Sequence, residues 1–240
     1  NETPGWRQEE LGASWHHFSM ICWLFFRPPF FMVLGCSGKP FWEAFWMIRR
    51  YFFPSKNLGC YGDGGAIFTN SDTLAYKMRG IVNHGMYERY YHDEIGVNSR
   101  LDSIQAAILN VKLKYLNKYN ISRQEAANLY NKSFEGINEI EVPFVESDVD
   151  SHVYHQYTLK INNGKRDELA DHLQKNNIPF GIYYPLGFHE QKAYKQEFIS
   201  DNDFPETNKV KDEVISLPMH TELTKKQIKF ITNTIISFFE

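Results

Sequence analysis

No tryptophan follows residue 46 and no aspartate precedes residue 63. These two absences split the 240-residue chain into unlike pieces. Residues 1–50 hold all five tryptophans (Trp6, Trp15, Trp23, Trp42 and Trp46), no tyrosine, and a single asparagine and lysine. From residue 51 onward Asn, Lys, Asp and Tyr abound. Such a break marks a boundary, and the first piece shows neither a clear helix or strand period nor a capping signal. It reads as a poorly organised segment. Cysteine is scarce: Cys22, Cys36 and Cys60 make an odd count without metal-ligand spacing, which argues against a disulfide scaffold and fits a reducing cytoplasm. Positive charge is not in excess, since the net charge is -3, so nothing calls for nucleic acid or an anionic membrane as partner. A long apolar run is missing too. The most apolar stretch, residues 18–36, is interrupted by Arg27-Pro28-Pro29, whereas a membrane helix needs roughly 20 predominantly apolar residues. Without a basic n-region or a small-residue cleavage site, a signal peptide is not expected.

What is present is conventional. With 42% hydrophobic and 23% charged residues, the composition suits a globular protein with a sizeable core. Gly65–Thr69 reads as a strand and Asn70-Ser71-Asp72 as a helix start, followed by Leu74, Met78 and Ile81 at helical spacing. Ser99-x-x-Asp102 resembles a capping box opening a long helix to about Phe134, broken or continuous, with Ile104, Ile108, Val111 and Tyr115 on a core-facing side. Beyond Gly136, residues 154–161 read as a strand, 166–176 as a helix and 179–184 as a strand. Thr224-x-x-Gln227 caps a last helix whose Ile228, Ile231, Ile235 and Phe238 face the core. Alternating strands and helices predict α/β or α+β.

The most informative stretch is Pro54-Ser55-Lys56-Asn57-Leu58-Gly59-Cys60-Tyr61-Gly62-Asp63-Gly64-Gly65, a lysine on a turn followed by four glycines in seven residues. Glycines let the chain bend sharply and let a ligand approach. On spacing alone a surface lysine beside a flexible turn is the plainer explanation, and neither the dinucleotide fingerprint nor the P-loop spacing is met.

That stretch resembles the lysine loop of the DegT/StrS-type nucleotide-sugar aminotransferases. The resemblance runs on through Asn83-His84-Gly85, Gly96-Val97-Asn98-Ser99-Arg100-Leu101-Asp102, Gln105-Ala106-Ala107 and Tyr154-His155-Gln156-Tyr157. It ends with Tyr184-Pro185, His189-x-Gln191-x-x-Tyr194 and Leu217-Pro218-Met219-His220, covering about residues 52–240. It implies a fold-type-I α/β transferase dependent on pyridoxal 5'-phosphate (PLP). Residues 52–130 would be the remainder of the large cofactor domain and 131–240 a small C-terminal α/β domain. The implied reaction moves an amino group, from glutamate, onto a UDP- or dTDP-linked keto sugar in polysaccharide biosynthesis, in a cytoplasmic homodimer that shares its active sites.

The resemblance implies that Lys56 is the catalytic residue, holding PLP covalently and then carrying protons as a neutral amine. Relatives that dehydrate instead carry His at this place, so Lys56 favours transamination. Asn98 would donate its amide hydrogens to the PLP phosphate of the neighbouring subunit; a helix cap is the plain alternative for Asn98-Ser99. Arg100 binds an anion or pairs with Asp102. Tyr87, Arg89, Tyr90, Tyr91 and His92 form an aromatic and basic loop suited to a nucleobase and diphosphate, or simply a packed loop. Neither His155 nor His189 has metal-ligand spacing nearby, and both read as structural rather than catalytic; by resemblance His189 also counts among the substrate-side residues, with Tyr87, Arg89, Tyr90 and Arg100.

Two family features are missing here: a Gly-Thr or Gly-Ser turn for the phosphate, and an aspartate for the pyridine nitrogen that makes PLP an electron sink. Tyr51 also stands where the family has serine, five positions before the lysine. These departures leave two rivals: an inactive fragment that binds no PLP, and a nucleotide-binding module whose affinity for UDP is indifferent to Lys56→Ala. Phe31–Gly35 is codon-compatible, one frame over, with His-Gly-Ala-Arg, and residues 41–47 with Leu-Gly-Ser-Phe-Leu-Asp, segments like those that precede the family's lysine. A shifted reading frame up to about residue 51 is therefore expected. The nucleotide sequence tests it: a family-like frame one base over is the expected finding, and in-frame coding without such an alternative would end the idea.

Overall fold

The structure is a computed structural model that describes residues 47–145, 152–194 and 203–240. The tryptophans, the apolar run and the expected frame shift lie outside the described residues, apart from the last few positions before residue 51. Two compact units divide between Asn117 and Lys118.

In the first unit, β1 (Met47–Tyr51) pairs antiparallel with β2 (Gly65–Thr69), Met47 opposite Thr69 and Tyr51 opposite Gly65. A strand thus begins inside the segment read as poorly organised. Its five residues are too few to show a period, and its partner lies beyond the lysine loop. Ser71 caps α1 (Asp72–Val82) as expected, its hydroxyl accepting from the Leu74 amide at 3.3 Å. β3 (Met86–Glu88) and β4 (Tyr91–His92) form a short hairpin.

The long helix differs from expectation in its start and in the face it buries. It starts at Ser103 as α2 (Ser103–Leu113), with Asp102 at the N-cap but making no side-chain cap bond. Of the two alternatives the broken form holds: a second helix, α3 (Leu116–Phe134), follows and ends where the period predicts. The stripe read as core is also not core: Ile104, Val111 and Tyr115 are 75%, 60% and 51% exposed, while Leu109 is buried. The helix turns Leu109 inward, and no described layer covers the other side.

The second unit carries a three-stranded antiparallel sheet in the order β5 (Ile140–Glu141), β6 (Tyr157–Ile161), β7 (Val214–Leu217). On β6, Tyr157, Leu159 and Ile161 are fully buried and alternate with half-buried Thr158 and Lys160, the period-two pattern of a sheet facing one core. They join Tyr130 and Phe134 of α3, Leu169 and Leu173 of α4 (Arg166–Lys175) and Ile228, Ile231 and Ile235 of α6 (Lys225–Phe239) in a single core. Each such side chain contributes about 1.5–3 kcal/mol relative to exposure. Thr224 and Gln227 make the expected capping box, the Gln227 amide donating to the Thr224 hydroxyl at 3.2 Å and the Thr224 amide to Gln227 at 2.9 Å.

Four segments of the second unit depart from the reading. β6 starts at Tyr157 because Tyr154 has φ 40°, outside the extended region. Residues 179–184 form no strand; Gly181 alone is bridged, to Ser216, through bonds of 3.0 and 2.7 Å. That bridge extends the edge of β7, and Pro179 has no N–H to add. Neither β7 nor α5 (Pro205–Glu213) was anticipated. The four buried residues Val214–Leu217 lack alternation, so their period says nothing. Residue 130, the expected domain boundary, lies within α3.

Candidate functional site

Lys56 stands on the connection between β1 and β2. The two strands hold the ends of this connection together, and the Phe52 amide continues the ladder to the Gly64 carbonyl at 2.8 Å. Cys60 fastens the inside. Its amide reaches the Phe52 carbonyl at 2.8 Å, and its thiol lies 2.9 Å from that same carbonyl and 3.0 Å from that of Gly62. Cys60 is fully buried, whereas Lys56 is exposed beyond it, its amide turned back to the Phe53 carbonyl at 2.9 Å. The loop therefore has a fixed base and an accessible amine. Nothing in the sequence distinguished Cys60 from any small apolar residue.

The segment around Asn98 is fastened to the end of α1. The Val97 amide reaches Ile81 at 2.7 Å, the Ser99 amide reaches Val82 at 3.0 Å, and the His84 amide reaches Val97 at 3.0 Å; Asn83 and Asn98 form a bridge. Arg100 donates to the Asn83 side-chain oxygen at 2.9 Å, which is a third option beside the anion and the Asp102 pair. Asn98-Ser99 does not cap α2, which begins beyond it. Asn98 itself stays exposed. The Asn83-His84-Gly85 motif has a steric reason: Gly85 has φ 75°, and a Cβ there would lie 1.7 Å from the Glu94 carbonyl oxygen.

In the 86–92 hairpin the aromatic residues separate into two kinds. The Tyr87 ring stacks on Tyr76 with centroids 4.6 Å apart, and it lies so close to Gly80 that a Cβ would come within 2.4 Å. Its hydroxyl donates to the Glu94 carboxylate, which together with lesser burial pushes the phenol up to about 12. Tyr87 is thus engaged in packing. Tyr90 is 74% exposed at φ 73°, with the Arg89 guanidinium 4.7 Å from its ring centroid. A cation resting on an open aromatic face can meet both a planar base and an anionic group.

His189 belongs to the second unit. Its ring stacks on Phe204 at 4.7 Å within the short turn Phe188–Glu190. Glu190 holds that turn, accepting from Lys211 and, at 2.7 Å, from the Gly187 amide. The Lys211 bond, then the Gly187 bond, keep the Glu190 carboxyl below the usual carboxylate range. A depressed carboxyl stabilises the fold above its unfolded pKa and ceases to do so as pH falls through the folded value. Melting curves should therefore place the wild type above Glu190→Gln at neutral pH and bring the two together in acid. A gap independent of pH would remove the charge from this explanation.

Two residues to which the sequence reading gave no role touch the lysine loop. Gln105 and Lys112, both on α2, bond to Tyr61 and Gly59. Gln105 lies in a motif quoted above, and their spacing of seven puts both on one helix face.

Residues 50–236 match the DegT/DnrJ/EryC1/StrS aminotransferase family. The chain is 42% identical over 204 residues to the pleiotropic regulatory protein of Geobacillus stearothermophilus, covering 85% of this chain and 54% of that one. It is 43% identical over 180 residues to the UDP-2-acetamido-2-deoxy-3-oxo-D-glucuronate aminotransferase of Pseudomonas aeruginosa, covering 75% and 48%. Its fold superimposes on S. venezuelae DesV, solved with a ketimine intermediate, with TM-score 0.76 and 33% identity over 81% of this chain and 52% of that one. The α/β fold therefore matches fold-type-I aminotransferases over about half of their chains. The chain spans about half the length of the curated relatives it matches.

Proposed function

Since the chain belongs to the DegT/DnrJ/EryC1/StrS aminotransferase family, we propose that it carries the lysine-bearing part of a PLP-dependent enzyme that aminates a keto nucleotide sugar. The observation that supports this most is Lys56 itself, an exposed amine on a loop whose base is closed by main-chain bonds and a buried cysteine. That donor set fits an aldehyde cofactor, since an accessible primary amine is what condensation requires.

Lys56 would hold the cofactor covalently, and Asn98 would donate two N–H groups to its phosphate in a neighbouring subunit of a homodimer. Bound there, PLP supplies an electron sink for the carbon that exchanges its amino group. Released from the cofactor, the Lys56 amine can take up a proton at Nζ and return it. Tyr90 and Arg89 suit a base ring and a diphosphate, and Arg100 keeps Asn98 in place through Asn83. His189 and Tyr87 are assigned to the substrate side by resemblance. Relatedness to an enzyme named for a 3-oxo UDP-sugar favours a UDP-linked 3-keto sugar over a dTDP-linked one, and a relative named as a glutamate aminotransferase favours glutamate as donor. In this reading residues 52–130 are the remainder of the cofactor domain and 131–240 the small domain.

A second reading, a chain that keeps the lysine loop but binds no cofactor, is favoured by Tyr51, which stands five positions before Lys56 where the resemblance implies a serine. Absorbance on addition of PLP separates the two. A visible band removed by borohydride supports the first, and well-folded protein without one supports the second.

A further inference from the structure

The lysine loop does not stand free on its two strands. Along residues 59–64 it runs antiparallel to the segment 101–112, touching it at three levels. A Cβ on Gly64 would lie 3.0 Å from the Leu101 side chain, and one on Gly62 would lie 3.2 Å from Nε2 of Gln105. Next to Gly62, the Tyr61 amide donates to Oε1 of Gln105 at 2.7 Å. At the far end, Nζ of Lys112 donates to the Gly59 carbonyl and sits 5.8 Å from the centroid of the Tyr61 ring.

Gln105 offers an acceptor and Lys112 a donor, about 10 Å apart on one helix. One takes an N–H of the loop and the other gives to a C=O. A slide of the loop along the helix breaks both bonds at once, and a lift away from it breaks them too. The same helix follows directly on the Asn98–Arg100 segment.

We propose that Gln105 and Lys112 are positioning residues, locking the loop that carries Lys56 to the helix that follows Asn98. In a dimer with shared sites, the loop that meets this chain's own cofactor and the segment that reaches the neighbour's are then held at a fixed spacing by one rigid rod. The proposal rests on the reading of Lys56 given above.

The test uses the full chain, with Gln105→Leu, Gln105→Glu and Lys112→Met, each confirmed as folded by circular dichroism. Hydrogen exchange across residues 57–63, without PLP, reads the lock itself. Loss of one such bond should speed exchange at Tyr61 about fivefold in Gln105→Leu. Gln105→Glu keeps an oxygen acceptor and should restore the wild-type rate. Borohydride trapping at sub-saturating PLP reads the consequence. Label on Lys56 should fall about fivefold in Gln105→Leu and Lys112→Met, with recovery in Gln105→Glu.

Unchanged exchange, or unchanged labelling of Lys56 in both disruptive variants, overturns the proposal. If even the unaltered chain takes no label, the reading of Lys56 fails instead. Exchange then decides the lock alone: faster exchange in Gln105→Leu upholds it, and wild-type exchange overturns it. Should Gln105→Leu not fold, Lys112→Met carries both readouts.

Discussion

Lys56→Ala should abolish the borohydride-sensitive absorbance band that PLP forms with the protein. The effect is expected to be complete at PLP concentrations where other lysines, Lys112 included, remain unreacted, because in this reading Lys56 supplies the reacting amine; a guanidinium or amide cannot condense with an aldehyde. Stability should hardly change. Lys56 is exposed, and bonds of Phe52, Cys60 and Gly64 hold the base of the loop. Surface substitutions of this kind usually stay within about 0.5 kcal/mol. Lys56→Arg keeps the positive charge but not the chemistry, so it should fail as completely. A band that survives either substitution would move the cofactor elsewhere.

The largest effect on stability is expected at Arg123. This residue of α3 is 7% exposed, and its Nη1 donates to the carbonyls of Tyr154 and Met219 at 3.0 Å each and to that of His155 at 3.2 Å. Burial lowers its pKa from the usual guanidinium value. Tyr130, two turns on, adds a bond from its hydroxyl to the Pro218 carbonyl at 3.0 Å. One helix thereby ties down the stretches before β6 and after β7. Arg123→Leu leaves carbonyls of both stretches without their donor in a buried place. The expected cost is about 3–5 kcal/mol, read from the urea midpoint. Arg123→Lys should recover part of it, since an ammonium keeps the charge but not the reach of a planar guanidinium. A loss below about 1 kcal/mol in Arg123→Leu would mean the carbonyls find other partners.

The parts of the fold that could be read from the sequence are those whose signals are local. The capped start of α6, its Ile228, Ile231 and Ile235 stripe, the Ser71 cap and β2 all come from neighbouring residues acting together. What failed depends on distant partners. The face of Ile104 and Val111 has a core period, yet Leu109 faces inward instead. Pairing with β6 makes a strand of Val214–Leu217, whose own sequence lacks alternation.

At the candidate site the motifs were legible and the fasteners were not. Lys56, Asn98 and the Arg89-Tyr90 pair were named from resemblance. That Cys60 closes the loop from inside, that Arg100 bonds to Asn83, and that Tyr87 is taken up by Gly80 and Tyr76 depends on contacts between segments. Gly85 is the exception in the other direction. Its motif was quoted for kinship alone, and the approach of the Glu94 carbonyl supplies the physical cause.

Peptide mapping after incubation with PLP and borohydride reduction examines the role of Lys56 most directly. The expected result is a phosphopyridoxyl group concentrated on the peptide that contains Lys56, at PLP concentrations where other lysines remain bare. Label scattered over exposed lysines, with Lys56 no richer than the rest, would contradict it.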